Sequence, residues 1–224
     1  MLKMEVLYPE YMNLYGDNGN IKFLKTIIPR LKIINTHLNN KPAFLKQKID
    51  ILYLGPCTEK QQEEIIKILK PYREQIKQLI EKQTLIIATG NSCELFGKYI
   101  EKENGDLISC LGLYNVYAKR FSRLRYNDNV ICSLDHLAVV GFKNQLSHLY
   151  GKDKHAITSP KEKKFINFIM DKNLFATYLL GPVLVLNPLL TEKLLTDAKI
   201  KFKKPPYYDL LINAYQRRVI EFNK

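Results

Sequence analysis

Tryptophan is absent from this 224-residue chain, and cysteine (four), methionine (four), glycine (ten) and proline (ten) are sparse. So few glycines and prolines, without a period, exclude a collagen-like or low-complexity chain. Cys57, Cys93, Cys110 and Cys132 form no CxxC pair, and no Cys/His set has zinc-like spacing. Neither a metal site nor a disulfide framework is indicated, and free thiols buried in a reducing cytoplasm are the expectation. Long apolar runs are missing too. Phe175–Leu186 is the longest and contains Gly181 and Pro182, whereas a membrane span needs roughly 20 apolar residues. Lys3 and Glu5 spoil any signal-peptide pattern at the start. What is present is an ordinary globular mixture, 46% hydrophobic and 25% charged, able to bury a core and unlike a disordered chain. Basic residues outnumber acidic ones, 35 to 22, for a net charge of +13 and a pI near 9.4. Abundant Lys, Ile and Asn match AT-rich codon usage, which accounts for part of that charge without any function.

The first half alternates strand and helix signals. Met4–Tyr8 is a short apolar run, followed by the turn-rich Asn13-Leu-Tyr-Gly-Asp-Asn-Gly-Asn20 and helical spacing from Ile21. Leu31–Asn35 and the near-continuous apolar Ile49–Leu54 predict strands, the latter of the kind buried on both faces of a parallel sheet. Thr58–Gln83 predicts a helix split by Pro71. Thr84–Ala88 predicts a strand and Ser92–Ile100 the next helix. Leu107–Tyr117, Asn129–Ser133 and Leu137–Gly141 read as strands without helices between them, an antiparallel extension. A strand at Leu174–Leu180 and helices at Pro188–Ala198 and 207–222 complete the pattern. The expectation is one domain, 1–224, of α/β class with a doubly wound, mostly parallel sheet.

In such sheets ligands bind beyond the carboxyl ends of the strands, where three segments fall. Leu85-Ile-Ile-Ala-Thr-Gly-Asn-Ser-Cys-Glu94 has the layout of a nucleophile elbow, with Gly90 at the turn and no nucleophile on it. Asn91 and Glu94 are spaced as a capping box. Cys93 would lie about a turn into the helix, where the dipole could activate a thiol. Gly55-Pro56-Cys57 could offer N–H groups to an oxyanion, although Pro56 has none to give, and Thr58 is a fair N-cap. Ala176-Thr-Tyr-Leu-Leu-Gly-Pro182 ends a strand with nothing that titrates. His37, His136, His148 and His155 are scattered. Lys119-Arg-Phe-Ser-Arg-Leu-Arg125 concentrates four cations, Lys119, Arg120, Arg123 and Arg125, as a candidate anion or acidic-partner site. With only Phe121 and Tyr126 interleaved, a nucleic-acid platform is not indicated.

These segments, in this order, resemble the class I glutamine amidotransferases of the cobyric acid synthase type, and among them the glutaminase subunits of lipid II isoglutaminyl synthase. Asn13, Gly16, Asp17 and Asn20 stand where that family has "NLYxDxGN", and Gly90–Gly97 aligns on "CGGYQxLG". Val140-Gly-Phe-Lys-Asn144 is similar to "VGFEN", and Ala176–Pro182 to "GTYLHGP". The resemblance implies a flavodoxin-like domain without a cofactor or metal. Such a domain hydrolyses glutamine and passes ammonia to a Mur-ligase-like synthetase, in a hetero-oligomer that amidates the peptidoglycan stem. It also implies a thiol at the elbow, an imidazole at the strand end and a Gly-Gly-Gly oxyanion loop. This chain carries Gly90, Leu180 and Gly55-Pro56-Cys57 there. Cys93 sits three residues downstream, roughly 4–5 Å further along a helix, too far to share the same oxyanion donors.

The sequence therefore predicts a degenerate amidotransferase subunit that keeps its partner surface, with Asn91, Ser92, Glu94 and Gly181 around a vacated pocket. The alternatives are a glutaminase relocated to Cys93 with a base such as His148, and a non-enzymatic module that holds an anionic small molecule near Arg120, Arg123 and Arg125.

Overall fold

The computed structural model describes residues 1–121, 123–134, 136–158 and 164–222. β1 (Lys3–Leu7), α1 (Asn18–Ile27), β2 (Lys32–Thr36), β3 (Ile51–Leu54), α2 (Glu59–Leu69), α3 (Arg73–Glu81) and β4 (Leu85–Thr89) follow the predicted alternation. Pro71 lies in the 3-10 turn Lys70–Tyr72 that separates α2 from α3, as its missing N–H requires. Thr58 caps α2 with a full capping box, exchanging bonds with Gln61. Next come β5 (Tyr99–Glu101), β6 (Leu107–Ser109), β7 (Val116–Arg120), β8 (Tyr126–Leu134), β9 (Leu137–Gln145), β10 (Ser147–Gly151), β11 (Ala156–Thr158), β12 (Ile166–Asp171) and β13 (Leu174–Thr177). α4 (Val183–Leu186), α5 (Pro188–Asp197) and α6 (Tyr208–Phe222) close the chain.

The parallel half runs β2-β1-β3-β4-β13. With β13 as fifth strand this is the flavodoxin-like order 2-1-3-4-5. Beyond β13 the sheet continues as β12-β10-β7-β5-β6, mostly antiparallel, with β11 added on β12. β8 and β9 form a separate two-stranded sheet, and Phe142 of β9 makes an antiparallel bridge to Leu180. Of the strands expected in the extension, Leu107–Tyr117 therefore supplies β6 and the start of β7, while the other two form a separate hairpin.

The period-two alternation of the central strands divides the core. Leu52, Leu54, Ile86 and Ala88 face α2 and α3, packing on Ile65, Ile66, Leu69, Ile76 and Ile80. Ile51, Tyr53, Leu85 and Ile87 face the other way, onto Phe23, Leu24 and Ile27 of α1 and Leu190, Leu194 and Leu195 of α5. Each fully buried Leu or Ile contributes about 1.5–3 kcal/mol, which explains why β3 and β4 read as unbroken apolar runs.

One expected helix is absent. Ser92–Ile100 is instead a seven-residue 3-10 run, Gly90–Phe96, followed by β5. Gly97 turns the chain, Lys98 donates its N–H to the Val116 carbonyl, and Ile100 pairs with Ile108 and Ala118. Tertiary strand pairing overrides a helical pattern only seven to nine residues long.

Candidate functional site

The carboxyl ends of β3, β4 and β13 deliver Gly55-Pro56-Cys57, Gly90 and Leu180 to one place. Gly90 has φ +61°, the left-handed conformation of a strained elbow. A Cβ on it would stand 2.6 Å from Pro56 Cβ and 3.1 Å from Leu180 Cδ2. The backbone turns as an elbow does, and the space where a side chain at position 90 would begin is occupied by Pro56 and Leu180. A cavity of about 70 Å³ remains beside them, lined by Gly90, Asn91, Pro56, Cys57 and Leu180, with Tyr15, Arg125 and Asn144 at the rim. Arg125 Nη1 donates to Asn144 Oδ1 at 2.7 Å and to Tyr15 Oη at 3.3 Å.

Beneath the elbow lies a buried polar network. Tyr53 donates its hydroxyl to Asp17 Oδ2 at 2.5 Å, Thr89 donates to Oδ1 at 2.9 Å, and Asn20 Nδ2 donates to Oδ1 at 3.0 Å. Burial pushes the Asp17 carboxyl up to about 6, while those three donors oppose the rise. The same carboxylate and the Met12 carbonyl close on Gly55, where any Cβ would collide with Met12 O and come within 2.8 Å of Asp17 Oδ2. Leu14 N–H donates to the Pro56 carbonyl at 3.2 Å. The Asn13–Asn20 segment thus clamps the Gly55 loop. Asn20 reaches further, its Oδ1 accepting the Leu184 N–H at 2.8 Å. Asn13 itself is exposed and donates to the Pro9 carbonyl, and Gly16 provides a turn at φ +73°.

Asn91 and Glu94 do not form the expected capping box. Asn91 accepts the Cys57 N–H at 3.1 Å and donates to the Cys57 carbonyl at 2.8 Å, tying elbow to loop. Ser92 donates to the Thr89 and Leu54 carbonyls at 2.7 and 3.1 Å. Glu94 is 1% exposed and accepts from Ser147 Oγ, from Tyr178 Oη at 2.8 Å and from Gln62 Nε2 at 3.0 Å. Burial raises its pKa against those donors. Gly181 turns the chain out of the Leu180 position at φ +100°. Cys93 is fully buried, and desolvation, with the neighbouring Glu94 charge, drives its thiol well above the usual range. Cys57, at the cavity wall, is pushed up to about 12 by burial and by Glu94 and Glu59. Both thiols are held protonated at neutral pH.

The basic cluster disperses. Arg120 binds Glu63 Oε1 and Gln62 Oε1, both at 2.7 Å, and Lys119 pairs with Glu101 at 3.0 Å. Arg123 is exposed, Arg125 alone of the four reaches the cavity, and Ser122 lies outside the described residues. His148 stacks on Phe165 with centroids 4.0 Å apart. Among the described residues no group of three or more His, Cys, Asp or Glu side chains could hold a metal, and no helix is long and apolar enough to cross a membrane. Sequence reasoning missed Tyr53 and Thr89. A tyrosine inside an otherwise aliphatic strand run, and a hydroxyl at the next strand's end, were the available signals.

Comparison with known proteins agrees with this geometry. Two curated proteins named lipid II isoglutaminyl synthase (glutamine-hydrolyzing) subunit GatD are similar. The Streptococcus pneumoniae protein is 26% identical over 96% of this chain and 86% of its own length, and the Staphylococcus aureus protein 27% over 84% and 80%. A solved glutamine amidotransferase superposes with TM-score 0.60 at 13% identity, covering 88% of this chain and 99% of its own. One from Thermotoga maritima gives 0.55 at 8%, covering 99% and 92%. The likeness to these two structures is one of fold. Residues 3–187 match the CobB/CobQ-like glutamine amidotransferase domain, and the chain belongs to that family.

Proposed function

We propose that this chain is a catalytically degenerate amidotransferase subunit, one domain over 1–224. In this reading it is the structural or regulatory partner of a Mur-ligase-like synthetase that amidates the stem glutamate of lipid II in the cytoplasm. The carrying observation is Gly90, whose Cβ position is filled by Pro56 and Leu180. Amide hydrolysis needs a nucleophile, a base and oxyanion donors together. Here the elbow has no side chain, the strand end has an isobutyl group, and the loop's central residue has no N–H. Cys93 offers no substitute, being fully buried in the core and not among the residues that line the cavity. The names of the two GatD relatives support the choice of synthetase.

The test reconstitutes the chain with the Mur-ligase-like synthetase of the same cell, ATP and a lipid II acceptor. Ammonium salts are expected to support amidation and glutamine is not. Glutamine-driven amidation abolished by thiol alkylation would refute the reading. A second reading has one supporting observation: Arg125, Tyr15 and Asn144 line a small cavity next to the elbow. A small anion held there would regulate rather than react. Isothermal titration with glutamate should then show binding that Arg125→Ala removes, and equal binding by the variant would exclude it.

A further inference from the structure

At the end of the sheet opposite the elbow, where β3 and β4 begin, a cleft of about 660 Å³ opens between residues 44–49 and the last two turns of α3. Its volume lies in the range of small-molecule sites, roughly 300–1,000 Å³. The cavity beside Gly90 measures only about 70 Å³. Half-buried Phe44, Leu45 and Leu79 line the cleft with apolar surface, together with buried Ile49 and Thr84. The exposed lining is Lys46, Gln47, Lys48, Gln75, Gln78 and Lys82. Among the described residues no carboxylate lines it.

The loop is held from behind. Glu5 of β1, 0% exposed, accepts the Ala43 and Phe44 N–H groups at 2.5 and 2.8 Å and the Thr36 hydroxyl at 2.5 Å. The Phe44 ring meets Tyr72 edge-on at 6.4 Å, and Thr84 donates its hydroxyl to the Ile49 carbonyl at 2.9 Å. A buried carboxylate and these tertiary contacts fix the walls before any ligand arrives, which lowers the ordering cost of binding. Part of the polar lining is already engaged: Lys48 pairs with Asp50 at 3.6 Å, and Gln47 accepts from Lys3 Nζ at 2.8 Å. The side chains of Lys46, Lys82, Gln75 and Gln78 make no hydrogen bond or ion pair among the described residues. Helix-end carbonyls that would repel an anion are capped. Gln78 O accepts the Lys82 N–H at 2.9 Å, and Leu79 O accepts the Thr84 N–H at 3.2 Å.

We infer that this cleft binds a small organic anion with an apolar body. Phe44, Leu45 and Leu79 take the body out of water. Lys46 and Lys82 meet its charge from flexible stems, and the Gln75 and Gln78 amides, donor and acceptor at once, take its polar substituents. An inorganic anion would leave the apolar lining wet, and a cation would find no carboxylate. The lining also lacks the Trp, Tyr and Arg anchors that dominate protein interfaces, which favours a small molecule over a partner chain. The cleft and Gly90 lie at opposite ends of the strands, so this site is independent of the subunit reading.

The experiment titrates the full chain with 8-anilinonaphthalene-1-sulfonate, an apolar ring body carrying one sulfonate, and follows its fluorescence. One saturable site is expected. Lys46→Glu with Lys82→Glu, two exposed positions away from the elbow, is expected to weaken binding by about tenfold or more. Leu79→Gln, which replaces apolar lining, is expected to weaken it by about threefold or more. N-phenyl-1-naphthylamine, the same rings without the sulfonate, is expected to bind about tenfold more weakly. In the wild type the bound probe is expected to shield Lys46 and Lys82 from acetic anhydride, read by mass spectrometry, and to leave exposed Lys22 and Lys25 of α1 reactive. No saturable site, unchanged affinity in the folded charge-reversal variant, equal binding of the uncharged analogue, or unshielded Lys46 and Lys82 would each overturn the inference. None of these results bears on the subunit reading, which fails on glutamine-driven amidation instead.

Discussion

Thr89 and Gly90 are neighbours in the chain and belong to two regions of different chemistry. Below the elbow, Thr89 joins Asp17, Tyr53 and Asn20 in a buried network in which each hydrogen bond is made. Above it, Gly90, Pro56 and Leu180 fill one another's space with no group that can take or give a proton. The Asn13–Asn20 clamp is built of buried, mutually bonded polar groups, whereas Gly90, Pro56 and Leu180, the positions proposed above as degenerate, carry no titratable group. The difference teaches that ordered polar support and an apolar site meet at a single peptide bond.

That contrast can be broken from below most strongly. Gly55→Ala drives a methyl into the Met12 carbonyl and the Asp17 carboxylate. It should cost about 3 kcal/mol at the least in urea denaturation, whereas a clamp that had relaxed would tolerate it. Next is the pH response. The Asp17 carboxyl, pushed up to about 6 from an ordinary 3.8, is neutral in both folded and unfolded chains below about pH 3.8. Its contribution is complete there and is lost as pH rises through 6, by up to about 3 kcal/mol. Asp17→Asn should flatten that part of the stability profile between pH 4 and 7. An unchanged slope would mean that the carboxylate is not held as described. Tyr53→Phe, which removes one of three donors from a buried carboxylate, should cost about 2 kcal/mol. The smallest effect lies above the divide. Gly90→Cys places a side chain at positive φ against Pro56 and should cost about 1–2 kcal/mol, with no gain of glutamine hydrolysis. An active Gly90→Cys protein would show that one substitution, and not the whole upper region, had silenced the site.

The parallel half was legible because its strands are buried on both faces, so Ile51–Leu54 and Leu85–Thr89 carry no polar interruption. Pro71 announced its own break. The antiparallel half was not. β10 and β11 went unread because they are partly solvated and too short to show a period, and β12 because polar Asn167 interrupts its buried run. Asn91 and Glu94 carried cap spacing and were spent on tertiary bonds to Cys57, Ser147 and Tyr178 instead. At the site, the strand-to-turn layout pointed to Gly90 as an elbow without a nucleophile, whereas Leu180 stood out only through the order of motifs it interrupts. Their contact with Pro56 unites positions 34 and 124 residues from it in the chain, information that only the fold contains.

The most direct test of the proposed loss of activity at Gly90 is release of ammonia from amide-labelled glutamine by the purified chain with the Mur-ligase-like synthetase of the same cell, before and after treatment with a thiol alkylating agent. The account predicts release at the uncatalysed background in both samples. Steady turnover that alkylation abolishes would contradict it.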